Sequence, residues 1–445
     1  MRLMPIVYIL AALSCRGCTV NPTTNRWDEL GSVLIADRVV KDTLSFDILG
    51  QLSKGIICID HDVDLKGKAC AIPADITLYM KGGKIMNGVL IGNETKIKGK
   101  GLFFEKVTIK GTWNVPNITT SMFANLDYDN SLRDVVALAS PNVKNTIVIG
   151  KGEYQVSAMK NNDVCIPLCS NTVLKLHGIV KLVPNDYKHY NIIKVQGENI
   201  KITGNGIVIG DKPSHTGTLG EWGMGIRFHK AVNASVSCLT IKDCWGDCIY
   251  VGGNSKNVII EKCSIDNGRR QGISVTSADS VTIKKCLITN VGGTKPEFAI
   301  DVEPNRGDTV DHIYIEEVVV RDCQGGFKAT KSMDIVDGKP VSKIGSVRIR
   351  NCQVYAKRKF PILFKGCERA SIEGCVISGT NARPIIYALE GGHVDVYNNI
   401  VKPNATFLTS TKKTIKRISR GKDIDPITIV EVKTHNIKDN MIVEQ

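Results

Sequence analysis

Aromatic residues are scarce in this chain, 6% of 445 positions, while glycine reaches 41. That balance suits short strands and tight turns better than helical packing. Apolar residues three and four apart are missing from its patterned segments, which excludes a helical repeat. Beyond residue 18 no apolar run is long enough to cross a bilayer as a helix. Acidic residues are also short, 44 against 58 Lys and Arg, giving a formal net charge of +14. The shortfall is local, since Lys328 to Lys422 holds 19 Lys/Arg and 6 Asp/Glu. A basic face draws polyanions through a salt-sensitive field, or simply keeps the chain soluble. With 42% apolar and 23% charged residues, disorder is not the default.

What is present begins with an export signal. Arg2 precedes the apolar stretch Leu3 to Leu13, then Ser14 and Cys15. The stretch is too brief to span a bilayer and ends in small residues, as a cleaved leader does. Ala12-Leu13-Ser14-Cys15 resembles a bacterial lipoprotein box with Ala12 and Leu13 in swapped order, which implies lipidation of Cys15. Residues 1–18 are therefore expected to be a signal or lipoprotein segment. The protein would sit in the cell envelope or be secreted, touching membrane only through an N-terminal lipid anchor. Fifteen cysteines in an exported chain would ordinarily suggest disulfides. Cys263, Cys286, Cys352 and Cys375 instead share one repeated slot and read as an inward thiol ladder.

The repeat runs from about 200 to 400. Its first half reads apolar-x-apolar-x-x-Cys-x-apolar, as in Val258 to Ile265 and Val281 to Ile288. Its second half is a small residue followed by apolar-x-apolar, as in Cys248-Ile249-Tyr250-Val251 and Ala299-Ile300-Asp301-Val302. The slots fall at 205, 239, 263, 286, 318, 352, 375 and 399, so short spacings are 23 or 24 and long ones 32 to 34. Two alternating strands per unit cannot bury an apolar face alone, but can when coiled on copies of themselves. The fold expected is all-β: a solenoid of stacked parallel strands, with a less regular N-terminal β region at 19–125. Ile76 to Met80 and Lys96 to Gly99 read as early strands of that region.

Asp127 to Leu132 with Val136-Ala137-Leu138 resembles the helical opening of pectate-lyase-superfamily β-helices. Thr146 to Tyr154 resembles their first strand and Gly-x-Tyr turn, and Asn171 to Leu174 and Ile200 to Gly206 resemble the coils that follow. The resemblance implies a right-handed parallel β-helix over 126–405. Residues 406–445, with Lys412, Lys413, Lys416 and Arg417, would form a basic tail or capping turn over the open end.

Extra chain gathers around the second strands, in loops 211–224 and 331–343, and long loops on a rigid scaffold are where sites form. Residues between the inward positions of a strand point out, so stacking yields an outward column of Arg227, Tyr250, Ser274, Asp301 and Lys328. His229 and Glu303 lie two residues further on. The turns entering these strands add Trp245, Asp247, Arg269, Arg270 and Glu297, and the first loop adds Glu221 and Trp222. Indoles stack on sugar faces, and Arg forks pair with uronate carboxylates or sulfates. Substrate contacts are thus expected from Glu221, Trp222, Arg227, His229, Trp245 and Tyr250, and chemistry from Asp247, Arg269, Arg270, Asp301, Glu303 and Lys328. Duller roles compete: Trp245-Gly246-Asp247 as a turn, Arg269-Arg270 as a solvated corner, Glu303-Pro304-Asn305 as a strand end. Asp301, in mid-strand where aspartate is poorly suited, most needs another reason.

The expected partner is an acidic polysaccharide, acted on by a lyase or epimerase before a hydrolase, or bound by an adhesion solenoid without catalysis. Elimination would use Arg269 and Arg270 to neutralise a uronate carboxyl, with Lys328, His229 or Tyr250 as base. Asp301 and Glu303 would then be the candidates to hold Ca²⁺, which prefers oxygen ligands. Hydrolysis would pair Asp301 with Glu303 or with Asp247. Gly246-Asp247-Cys248 and Arg270-Gln271-Gly272-Ile273-Ser274 resemble polygalacturonase strands, but Gly246 replaces one of their acids and Gln271 their histidine. Asp301-Val302-Glu303-Pro304 faintly resembles the Asp-Pro-His strand of uronate epimerases. No nucleic-acid partner is expected, since no base-stacking platform is evident.

Overall fold

The structure is a computed structural model that describes residues 55–126, 131–158, 164–331, 335–336, 339–379, 384–403 and 426–443. The expected leader with Cys15, and residues 406–425 of the expected tail, lie outside the described residues. Two compact units are found, residues 1–150 and 151–445.

In the first unit, strands Gly55–Ile59, Ile76–Met80, Ile85–Gly99 and Phe104–Asn114 pair in parallel, one after the next. Trp113, Phe103 and Phe104 are fully buried among them. Asn117–Thr119 pairs with Asn145–Ile149, and the helix Ser131–Val136 buries Leu132 and Val135.

In the second unit each full winding carries three strands, not two. One winding runs Asp247–Gly252, Ser255–Glu261 and Ser264–Asp266, and the next repeats it as Gln271–Val275, Ala278–Lys284 and Leu287–Thr289. The apparent first half of the repeat is a pair of strands meeting at the Cys slot. The residue before each slot turns the chain with positive φ: Lys262 at 54°, Lys285 at 55°, Asn351 at 52° and Gly374 at 64°. Such a left-handed residue cannot continue a strand, so the chain corners there. The slot cysteines are 1–2% exposed and free. The thiols of Cys263 and Cys286 donate weakly, at 3.8 Å, to the carbonyls of Val236 and Ile260. Asn399, in the same slot, donates its amide to the Ile372 carbonyl at 3.0 Å.

All three strands pair in parallel with their copies on adjacent windings, at roughly 4.8 Å per step. Ile249, Ile273, Ile300 and Val251, Val275, Val302 are at most 1% exposed. Each such side chain contributes about 1.5–3 kcal/mol on burial. This apolar lining locks the register, because a one-residue slip would turn it outward.

Candidate functional site

The register carries the expected column. Arg227 pairs with Tyr250, Tyr250 with Ser274, Ser274 with Asp301, and Asp301 with Lys328. Asp301 and Ser274 are nonetheless only 2% exposed, because neighbouring side chains close over them. A pit opens above them, lined by Trp222, Tyr250, Arg270, Ser274, Thr276, Asp301, Glu303 and Asn305.

Asp247 reaches the same wall from the strand that carries Tyr250, two windings before Asp301. The ladder passes from Asp247↔Gln271 to Ile249↔Ile273, and both Cys248 and Ile249 are fully buried. With two successive residues turned inward, the one before them faces out. Asp247 Oδ2 accepts from the Ser274 hydroxyl at 2.7 Å and from Arg270 at 3.0 Å. The Arg270 Nε lies 3.3 Å from Glu221 Oε2. Gln271, also turned outward, donates from its amide to Asp301 Oδ2, while its Oε1 accepts from the Phe298 backbone N–H. Lys328 Nζ is 3.3 Å from Asp301 Oδ2 and 2.9 Å from Glu303 Oε1. The remaining oxygens of the two aspartates, Oδ1 in each case, are buried without a hydrogen-bond partner.

Electrostatics follow from that burial. Loss of solvent pushes the Asp301 carboxyl up to about 7, against the lowering pull of Lys328 and with a raising push from Glu303. Asp247 is raised to about 6 by burial, with Arg270 and Ser274 opposing. Burial would lower Arg270, but Asp247, Asp301, Glu221 and Glu303 hold its guanidinium above the usual range. Four carboxylates therefore surround two cations, and each cation is already shared between two of the acids.

Other expected residues stand apart. Trp245 is sandwiched: the Arg269 guanidinium lies 3.7 Å from its ring centroid and the His215 ring stacks at 3.9 Å. Arg269 also donates to the carbonyls of Gly220 and Trp245 at 2.8 and 3.3 Å. Neither residue lines the pit, where Arg269 was expected to neutralise substrate and Trp245 to stack on it; their stack holds loop 211–224. Glu297 binds Lys359 at 2.7 Å and the Gly293 N–H at 2.9 Å, so it shapes a turn. Arg227 and His229 lie on the preceding winding, the Arg227 guanidinium 5.3 Å from the Tyr250 ring. Of loop 331–343, residues 332–334 and 337–338 lie outside the described residues.

The Ca²⁺ expectation meets an obstacle. Asp301 and Glu303 are bridged by the Lys328 ammonium, and among the described residues no three His, Cys, Asp or Glu side chains gather as a metal site. Ca²⁺ takes about six to eight oxygens. The described residues at this wall do not fit it.

The sequence reading missed Gln271 and Thr276, which serve the wall and the pit, and the anchor beneath loop 211–224. Asp211, 1% exposed, accepts from Tyr190, from the Asn185 backbone and amide, and from His215 at 2.8 Å. Burial, then the Asp211 charge, raises the Tyr190 phenol well above its usual value. Asp211 occupies no repeat slot, so nothing periodic marks it; only its place at the start of a long insertion could have done so.

The chain folds as a right-handed parallel β-helix. Residues 182–338 match the family described as the right handed beta helix region. The chain is 31% identical over 196 residues to the uncharacterized protein YclG of Bacillus subtilis (strain 168), over 38% of this chain and 33% of YclG. It thus spans about a third of that relative's length. Similar solved structures include the endo-xylogalacturonan hydrolase of Aspergillus tubingensis, 12% identical, covering 74% of this chain and 93% of that one, TM-score 0.43. Another is PfbA, a surface adhesin of Streptococcus pneumoniae, 12% identical, covering 79% and 81%, TM-score 0.41.

Proposed function

We propose that this protein is a polysaccharide-cleaving enzyme that works by hydrolysis, acting outside the cytoplasm. One observation carries the reading: Asp301, a buried carboxyl raised to about 7, lies in the pit beside the half-exposed Glu303, both bound to one Lys328 ammonium. A carboxyl still protonated near neutrality can donate to a leaving glycosidic oxygen. Glu303 is the second carboxylate. One oxygen of each acid lies within 3.3 Å of the same nitrogen, which favours the closer spacing of a retaining pair, about 5–5.5 Å, over the about 6.5–9.5 Å of an inverting one. The reading is therefore of Glu303 as nucleophile, with retained configuration. Asp247 is a positioning residue, holding Arg270 and Ser274 at the wall.

Elimination or epimerisation of a uronate is less well served. Either needs a cation free for the sugar carboxyl, and Arg270 and Lys328 are each shared between two acids. The test is incubation with a panel of neutral and acidic polysaccharides, following reducing ends, ultraviolet absorbance and, by proton NMR, the first-formed anomer. Reducing ends with the retained anomer and no conjugated product are expected. Conjugated product would establish elimination, and the inverted anomer would remove Glu303 as nucleophile. A glycan-binding solenoid without catalysis is the second reading, favoured by Trp222, whose indole is 53% exposed at the rim. Binding of a polymer that releases no ends would establish it.

A further inference from the structure

One winding before the pit, the charge balance reverses. Lys194 is the register partner of Arg227, and Arg227 that of Tyr250, whose hydroxyl accepts from Thr276 in the pit wall. His229 follows two residues beyond Arg227 on the same strand. In contrast to Arg270 and Lys328, neither Lys194, Arg227 nor His229 forms an ion pair with a carboxylate among the described residues. Arg227 Nε and His229 Nδ1 are buried and have no hydrogen-bond partner. A buried donor left without a partner is costly, so a wall that keeps Arg227 Nε unpaired is suited to a ligand. Burial, then the charges of Arg227, Lys194 and Lys230, lowers His229, which marks the local field as positive.

We propose that Lys194, Arg227 and His229 form an anion subsite that takes a carboxylate or sulfate on a sugar neighbouring the one cleaved. This rests on the pit as the cleavage site and adds a substrate class to it. The sugar held over Asp301 and Glu303 is neutral, since both cations there, Arg270 and Lys328, are already paired with acids. Its neighbour towards the N-terminal windings is acidic. The substrate is accordingly a heteropolymer with charged and uncharged units, or a polymer modified at intervals. Arg227 supplies a planar fork for the oxyanion, and Tyr250, between pit and subsite, offers an amphipathic ring to the linkage.

The test is affinity electrophoresis through gels carrying polygalacturonate, alginate, chondroitin sulfate, dextran sulfate or uncharged dextran. The proteins are the wild type, Lys194→Gln/Arg227→Gln, and Lys262→Gln/Lys285→Gln, which removes equal charge from exposed lysines elsewhere. At least one anionic polymer should retard the wild type and the control pair about tenfold more strongly than the subsite pair. Dextran should separate none of them, and the difference should shrink as NaCl rises from about 0.01 M to about 0.15 M. Carboxylated and sulfated polymers distinguish the two anions. If the subsite pair and the control pair run alike in every anionic gel, the subsite is overturned. Should Arg227→Gln fail to fold, Lys194→Gln alone against Lys262→Gln decides the matter. Retardation requires no cleavage, so loss of the hydrolytic reading and loss of the subsite are read separately.

Discussion

The Ser274 hydroxyl donates to Asp247 at 2.7 Å, on the preceding winding, and not to Asp301, its register partner on the next. Asp301 is held instead by the Gln271 amide and the Lys328 ammonium. Gln271 and Ser274, three apart on one strand, thus cross-brace two buried acids on the strands to either side, each acid within reach of one neutral donor and one cation. The arrangement separates their duties: Asp247 is sealed beneath Arg270, while Asp301 faces the pit.

Arg270→Met should expose the cost of that seal. Asp247 is fully buried and loses its only cation, so its carboxyl should rise above about 6. Breaking a buried pair by removing one partner costs about 3–5 kcal/mol. Chemical denaturation at pH 8 should show a loss of that order, shrinking by pH 5, where Asp247 is neutral. A pH-independent loss would mean that Arg270 acts through packing alone.

Asp301→Asn carries the opposite sign. Its folded value, about 7, exceeds the ordinary 3.8, so between those limits the native state binds more protons than the unfolded one. Stability from this group is therefore fully present below about pH 4 and is lost as pH rises towards 7. Three units correspond to about 4 kcal/mol at most, reduced in the variant by the lost Lys328 partner. The variant should gain stability relative to wild type as pH rises from 4 to 8, measured by thermal melts, while losing turnover. A difference flat with pH would remove the raised carboxyl from the account.

Much of this was legible in the chain. The 23-residue spacing and the alternation around Ile249, Ile273 and Ile300 fixed which residues share a column, because parallel pairing leaves little freedom once the apolar face is assigned. Asp301 stood out as an acid in a strand. What spacing could not convey was the third strand, since a left-handed Lys262 looks like any lysine, and the inward double step at Cys248-Ile249 that turns Asp247 onto the wall. Arg269 and Arg270 are adjacent and chemically identical, yet one clamps an indole and the other faces the pit. Only their partners, the Trp245 ring and the Asp247 carboxylate, separate them.

Neighbouring charges should tune Asp301 in opposite directions. Lys328 lowers its carboxyl and Glu303 raises it. Lys328→Met should therefore move the Asp301 titration above about 7, and Glu303→Gln below it, as followed by carboxyl carbon NMR. In the enzyme, activity should fall as pH passes the Asp301 value, since the donor must be protonated. Any activity left in Lys328→Met should extend to higher pH. Identical midpoints in both variants would show that burial alone sets the value.

The two tryptophans of the site region should answer differently to truncation. Trp222 is 53% exposed at the rim, and Trp222→Ala removes little packing. It should leave the melting temperature nearly unchanged and raise KM with kcat preserved, the pattern of a lost contact equal in ground and transition states. Trp245 lies between Arg269 and His215, and its loss unstacks the brace that holds loop 211–224. Trp245→Ala should cost about 3–5 kcal/mol, as for other packed aromatics, and lower kcat because Glu221 and Trp222 lose their placement. Trp245→Phe, which keeps a ring between the two partners, should recover most of both. If Trp222→Ala instead destabilised the fold and Trp245→Ala raised only KM, the assignment of platform and brace would be reversed.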